Sequence, residues 1–209
     1  MKTNQLFLLL FFLGFAPTVS LAQVENPKIQ YSIGGGFSVD RSNMLWGLNM
    51  TNQINYRLGK RTSLNAGISF YQSLGNLENK EVFPGQKSKD QSSGIFITPM
   101  LKYDILQRDS GFKLAFAAGP SLQLGGQSIL FKDNFTDPEN PNSFVFHNKY
   151  QRIGLMMELE AEWKTKNPNV RNAASISAYG ADNDFPLFIN VNYKVRFNFG
   201  KVTTQVLFN

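Results

Sequence analysis

The chain has 209 residues, 21 Lys and Arg against 15 Asp and Glu, one His and no Cys. Without cysteine there is no disulfide framework, no thiolate catalysis, no thiolate metal site and no lipidated cysteine anchor. The +6 net charge is scattered among acids rather than gathered into a stripe, which argues against a nucleic-acid footprint.

Lys2 precedes an apolar run from Leu6 to Ala16, followed by Pro17 and Val19-Ser20-Leu21-Ala22. A basic start, an apolar core and a small-residue site are the order of a secretory signal peptide. The run is shorter than the roughly 20 apolar residues of a spanning helix. Cleavage is expected after Ala22, dividing the chain into a signal peptide, 1–22, and one domain, 23–209. No second long apolar run follows, and export without disulfides points to a bacterial envelope.

Eight strands are predicted, in chain order, from alternation of apolar and polar residues. The first covers about 28–40, with Ile29, Tyr31, Ile33, Phe37 and Val39 on one face. The second covers 45–58, with Trp46, Leu48, Met50, Ile54, Tyr56 and Leu58, and the third 62–75, with Leu64, Ala66, Ile68, Phe70 and Leu74. The fourth covers 93–106, from Ile95 through Pro99 to Ile105. The fifth runs from Phe112 through Pro120 to Leu124, and the sixth covers 148–164, with Ile153, Leu155, Met157, Leu159, Ala161 and Trp163. The fifth and sixth are long enough to continue past a membrane as a hairpin around 125–150. The seventh, 171–180, is the weakest. The eighth, INVNYKVRFNF at 189–199, alternates from end to end. Proline removes a ladder donor, so Pro99 and Pro120 imply either bulges or a register one residue off.

Connections after the second, fourth and sixth strands are short. Two of the others, about 76–92 and 132–147, are long and polar. Short turns alternating with long loops fit an up-and-down membrane barrel, and strands of about ten residues fit its apolar band of about 25 Å. The polar face carries small residues such as Gln30, Ser32, Gly34, Gly36, Asn49, Thr51 and Ser69, which suit a lumen only just wide enough for side chains. Charges of both signs also fall there: Lys102, Lys113, Glu158, Glu160, Glu162, Lys194 and Arg196. Inside a barrel these would pair in a network, because buried charges need partners. Tyr56, Tyr103, Phe112, Trp163, Phe197 and Phe199 gather near the short turns on the apolar face, as an interfacial aromatic girdle does. The expected fold is therefore an all-β, eight-stranded antiparallel up-and-down transmembrane β-barrel. In the alternative, a soluble periplasmic β-protein, the apolar face is the core.

The segments FITPMLKYDIL (96–106), FAAGPSLQLGG (116–126) and NYKVRFNFG (192–200) resemble the small outer-membrane β-barrel domain family, which includes PorT-like proteins and OmpA-type eight-stranded barrels. The resemblance covers most of the chain after the leader. It implies a Gram-negative outer-membrane location and supplies no catalytic motif. A porin-like small channel and a lipid A-modifying acyl hydrolase are the alternatives from other classes. His147 lacks a serine two residues on, where such deacylases carry one; Lys149 stands there, so His147 is expected to be an ordinary loop residue. Gly34-Gly35-Gly36 lacks the Lys-Ser/Thr of a phosphate loop and is expected to pack in the lumen or bend the strand. The expectation is a non-enzymatic monomer without metal or cofactor, in a structural, adhesive or accessory envelope role. It would contact outer-membrane lipid, and any extracellular partner would meet loops 76–92 and 132–147.

Overall fold

The structure is a computed structural model that describes residues 28–77, 81–83, 86–87, 90–133 and 142–199. The expected signal peptide, the tail 201–209 and residues 134–141 of the expected 132–147 loop lie outside the described residues. Ten strands form: β1 Ile29–Asp40, β2 Leu45–Arg57, β3 Thr62–Asn76, β4 Glu81–Phe83, β5 Gln86–Lys87, β6 Gln91–Gln107, β7 Lys113–Asp133, β8 Asn142–Lys164, β9 Val170–Ala181 and β10 Asp184–Phe199. Eight of them close a barrel in the order β1-β10-β9-β8-β7-β6-β3-β2, and β4 and β5 pair separately inside the β3–β6 connection. Every barrel pairing is antiparallel, including the closing pair from Ile29↔Phe199 to Asp40↔Phe188. Where all eight strands are paired, closure removes the sheet edges, so the backbone there is satisfied without water.

The two faces are inverted relative to a soluble protein. Phe37, Leu101, Val191 and Ile153 point outward, Ile153 being 75 % exposed, while Lys194 and Arg196 point inward and are 0 % exposed. Apolar residues outside and charges inside are stable when lipid surrounds the barrel. This excludes the reading with the apolar face as a soluble core.

The tight turns follow from local chemistry. Asp182 and Asn183 both have φ near +60° (55° and 66°) and join β9 to β10 in two residues, the two-residue geometry that Asn and Asp tolerate. Gly111 has φ 85° in the β6–β7 turn, where its N–H donates to Arg108 O at 2.8 Å.

Several boundaries differ from the alternation pattern. β10 begins at Asp184 rather than 189, and its register shifts between Asp184 and Phe188. β7 and β8 pair continuously out to Asp133↔Asn142, so 132–133 and 142–147 of the expected connection are strand. His147 is accordingly a strand residue opposite Ser128, not a loop residue. Pro99 and Pro120 mark neither a bulge nor a register error. Pairing stops at Ile97↔Leu122 and resumes at Leu101↔Ala118 with the same offset. The two prolines fall opposite each other in that gap, so both missing donors occupy one interruption of the ladder. The register shift between these strands lies at Asp104/Leu106 instead.

Candidate functional site

The lumen is the candidate site, and it is closed at two levels. Near the short turns β8 supplies Glu158, Glu160 and Glu162 at alternate positions, all buried. Lys194 Nζ donates to Glu158 Oε1 at 2.6 Å, Glu160 Oε2 at 3.1 Å and Gln53 Oε1 at 3.1 Å. Arg196 donates to both oxygens of Glu160, at 2.8 and 2.9 Å, and to Glu162. Lys102 holds Glu160 and Arg171 holds Glu162. Four cations and three carboxylates thus share one low-dielectric layer, where each charge is tolerated only because others contact it.

The barrel makes this geometry possible by alternating long and short inward residues. Each glutamate is flanked in register by small ones: Glu158 by Ala117 and Ser177, Glu160 by Ala115 and Ser175, Glu162 by Ala173 on the β9 side. Their small volume lets β8 reach across β9 to Lys194 and Arg196, and across β7 to Lys102. Gly34 lies opposite Lys194, and a Cβ there would come within 2.7 Å of Lys194 Cγ and 2.5 Å of Tyr193 O. It is this side chain that needs glycine, rather than a phosphate.

Of the seven residues expected in the charge network, six meet here. Lys113 stands apart at the mouth: it is opposite Glu162 in register, but its Nζ lies 4.0 Å from Asp104. Arg57 approaches the same carboxylate at 3.8 Å, and Gln107 Nε2 donates to it at 2.6 Å. Arg171 is a further member, beyond the expected seven. Its signal, an Arg on the polar face of the weak seventh strand, is visible only once β9 is registered against Glu162.

The second closure is aromatic and lies toward the long connections. Phe188 meets Tyr71 and Phe96 edge-on, each at 5.3 Å between ring centroids, and Phe96 meets Tyr179 at 5.2 Å. Met100, Met156 and Leu187, with Ala117 and Ala181, complete the buried cluster. Edge-to-face rings at these distances attract beyond their buried area. The polar-lumen expectation is corrected here, because this end is an apolar core. Its signal in the sequence is four aromatics on the otherwise polar face of the third, fourth, seventh and eighth strands.

Between the closures lies a cavity of about 30 Å³ lined by Asn49, Thr51, Gln53, Met100, Glu158 and Asn192, room for about two water molecules. Thr98 and Ser121 hydroxyls bond at 2.8 Å across the proline gap and close the wall there. A second cavity, about 20 Å³, opens at the mouth between Asn55, Arg57, Lys102, Lys113 and Glu162.

The six expected girdle residues lie on the outer face beside the short turns. Tyr56 and Tyr103 are exposed, and Phe112, Trp163, Phe197 and Phe199 half-buried. Lys28 sits over the Tyr56 ring at 5.9 Å and Arg108 over Phe112 at 6.0 Å.

A closed antiparallel barrel with an apolar outer band, a charged interior and aromatics at one rim is a transmembrane β-barrel of the outer-membrane type. Residues 18–188 match the family model described as "Outer membrane protein beta-barrel domain", and the chain belongs to that family. Membership places it in the outer membrane of a Gram-negative bacterium; in barrels of this type the short turns face the periplasm. The N-terminal β-barrel domain of Pseudomonas aeruginosa OprF is similar in structure, with TM-score 0.51 and 13 % identity over 83 % of this chain and 98 % of that one. A major outer membrane protein from Thermus thermophilus is similar at TM-score 0.51 and 13 % identity, over 84 % of this chain and all of that one. At such identities the likeness concerns the fold alone. No curated protein matches the chain.

Proposed function

We propose that the protein is a non-conducting, non-enzymatic outer-membrane barrel, in a structural, adhesive or accessory role, whose working surface is the extracellular β7–β8 hairpin. One observation carries this reading. β9 accompanies β8 only as far as Leu155↔Gly180, and β6 accompanies β7 only to Gln91↔Ser128, yet β7 and β8 stay paired out to Asp133↔Asn142. Residues 142–154 therefore present a strand edge without a paired neighbour among the described residues, about 40 Å long at roughly 3.3 Å per residue. Such an edge is a template for an added strand from a partner protein. The lumen, closed by ions at one level and rings at another, acts as the rigid base.

Ser128 and His147 bond across this hairpin through His Nδ1 on an exposed face. A serine hydrolase instead uses the other ring nitrogen as base and has a carboxylate orient Nδ1 in a desolvated pocket, so the pair is a cross-strand contact.

The test replaces residues 127–148 with a short turn. The variant is expected to assemble, showing heat-modifiable gel mobility, while cells bearing it lose retention on protein-coated surfaces. Unchanged retention sinks the docking role. Step currents from the intact protein in planar bilayers overturn the closed lumen, and a lipid A mass profile altered by expression overturns the non-enzymatic reading.

A further inference from the structure

The cations of this barrel divide into two populations. Those facing inward near the periplasmic end, Lys102, Lys113, Arg57, Arg171, Lys194 and Arg196, each lie within 4.0 Å of a carboxylate. The others at the same end, Lys28, Lys60, Arg61, Arg108, Lys164 and Lys166, are all exposed at the rim, Lys28 and Arg61 beside the mouth cavity. None of these six has a carboxylate partner among the described residues. They come from the start of β1, from all three periplasmic turns and from the end of β8, so they encircle the barrel. Asp109 is the acid exposed among them.

The opposite end is balanced. Among the described residues it carries Asp40, Asp90, Asp182 and Asp184 against Arg41, Lys149 and Arg152. At that rim Arg152 lies 3.7 Å from Asp182. Among the described residues the cations without a carboxylate partner are therefore concentrated on one rim, at the level of the aromatic girdle. Two of its members rest on girdle rings, Lys28 on Tyr56 and Arg108 on Phe112. A cation on an aromatic face at the membrane boundary sits at headgroup depth.

We infer that this basic collar binds anionic phospholipid headgroups of the periplasmic leaflet, selecting them over zwitterionic ones. The phosphate of a lipid whose chains lie against the adjoining apolar face meets the collar without leaving the bilayer. A net negative headgroup then gains attraction that a zwitterionic one largely cancels. Basic residues near an anionic membrane surface act in this way in general. The collar anchors the barrel's lower rim.

The experiment refolds the full chain into phosphatidylcholine vesicles and measures association of spin-labelled phosphatidylglycerol and phosphatidylcholine by electron paramagnetic resonance. A preference for the glycerol lipid on the order of fivefold is expected at low salt, falling toward unity at high salt. Neutralising four collar residues (Lys28→Gln, Lys60→Gln, Arg108→Gln and Lys166→Gln) should abolish it. Neutralising Arg41 and Lys149 at the other rim should leave it intact. Heat-modifiable mobility confirms that each variant has folded before the lipid measurement. Equal association of the two lipids with the wild type, or a preference that survives in the fourfold variant, overturns the proposal. So does loss of the preference in inorganic phosphate but not in chloride of equal ionic strength, which would make the collar a soluble-anion site.

Discussion

Glu160→Gln keeps the shape of the most heavily contacted carboxylate and removes its charge. Glu160 is 2 % exposed and accepts from Lys102, Lys194 and Arg196. After the change four buried cations face only Glu158 and Glu162, and Lys102 loses its carboxylate. Breaking a buried pair while leaving its partner charged costs about 3–5 kcal/mol. With a urea dependence of about 2 kcal/mol per molar for a small protein, the unfolding midpoint should fall by about 1.5–2.5 M. The assay is urea titration of the refolded barrel in lipid vesicles, followed by fluorescence of Trp46 and Trp163. Because the layer is buried, the loss should be nearly the same at low and high salt. Adding Lys102→Met to Glu160→Gln removes the orphaned cation, and the double variant should recover about 1 kcal/mol or more relative to additivity. A single-variant loss below about 1 kcal/mol, or full additivity in the double, would refute the network as a mutually dependent layer.

Val195→Arg puts a charge on the lipid face beside Ile33 and should cost about 2–4 kcal/mol near mid-membrane, read as lost heat-modifiable mobility; Asn192→Ser, on the inner face, should assemble normally. Phe188→Ala empties the centre of the aromatic closure and should cost about 3–5 kcal/mol by urea titration, with no step currents in planar bilayers because the ionic layer stays shut. Gly34→Val drives a side chain into Lys194 and the facing backbone and should cost about 1–3 kcal/mol, whereas the same change at Gly59, which has open space around it, should alter the midpoint little.

The strand pattern was legible because lipid and lumen impose opposite demands on alternate residues. Ile189 to Phe199 showed it without a break, and even the weak seventh strand was found within one residue of Val170–Ala181. The ends of β7, β8 and β10 were harder. Beyond the membrane no apolar face is required, so alternation fades before the hydrogen-bonded ladder does. The proline puzzle had the same origin. Sequence places Pro99 and Pro120 on one face, but only the offset between β6 and β7 sets them opposite each other and shows that two missing donors make one gap.

By itself the sequence determined the sidedness of the strands, the ordering of short and long connections, and the charges available to the inner face. These are local properties, set by a two-residue period and by turn chemistry. Tertiary structure alone decided which of those charges meet. Glu160 reaches Arg196 because Ser175 between their strands is short, and Lys113, a lysine like Lys102, stays at the mouth, where its Nζ lies 4.0 Å from Asp104. It also turned Tyr71, Phe96, Tyr179 and Phe188, distant in the chain, into one aromatic closure. Barrel closure brings strands far apart in sequence around a common axis, and that proximity depends on the register of every pair between them.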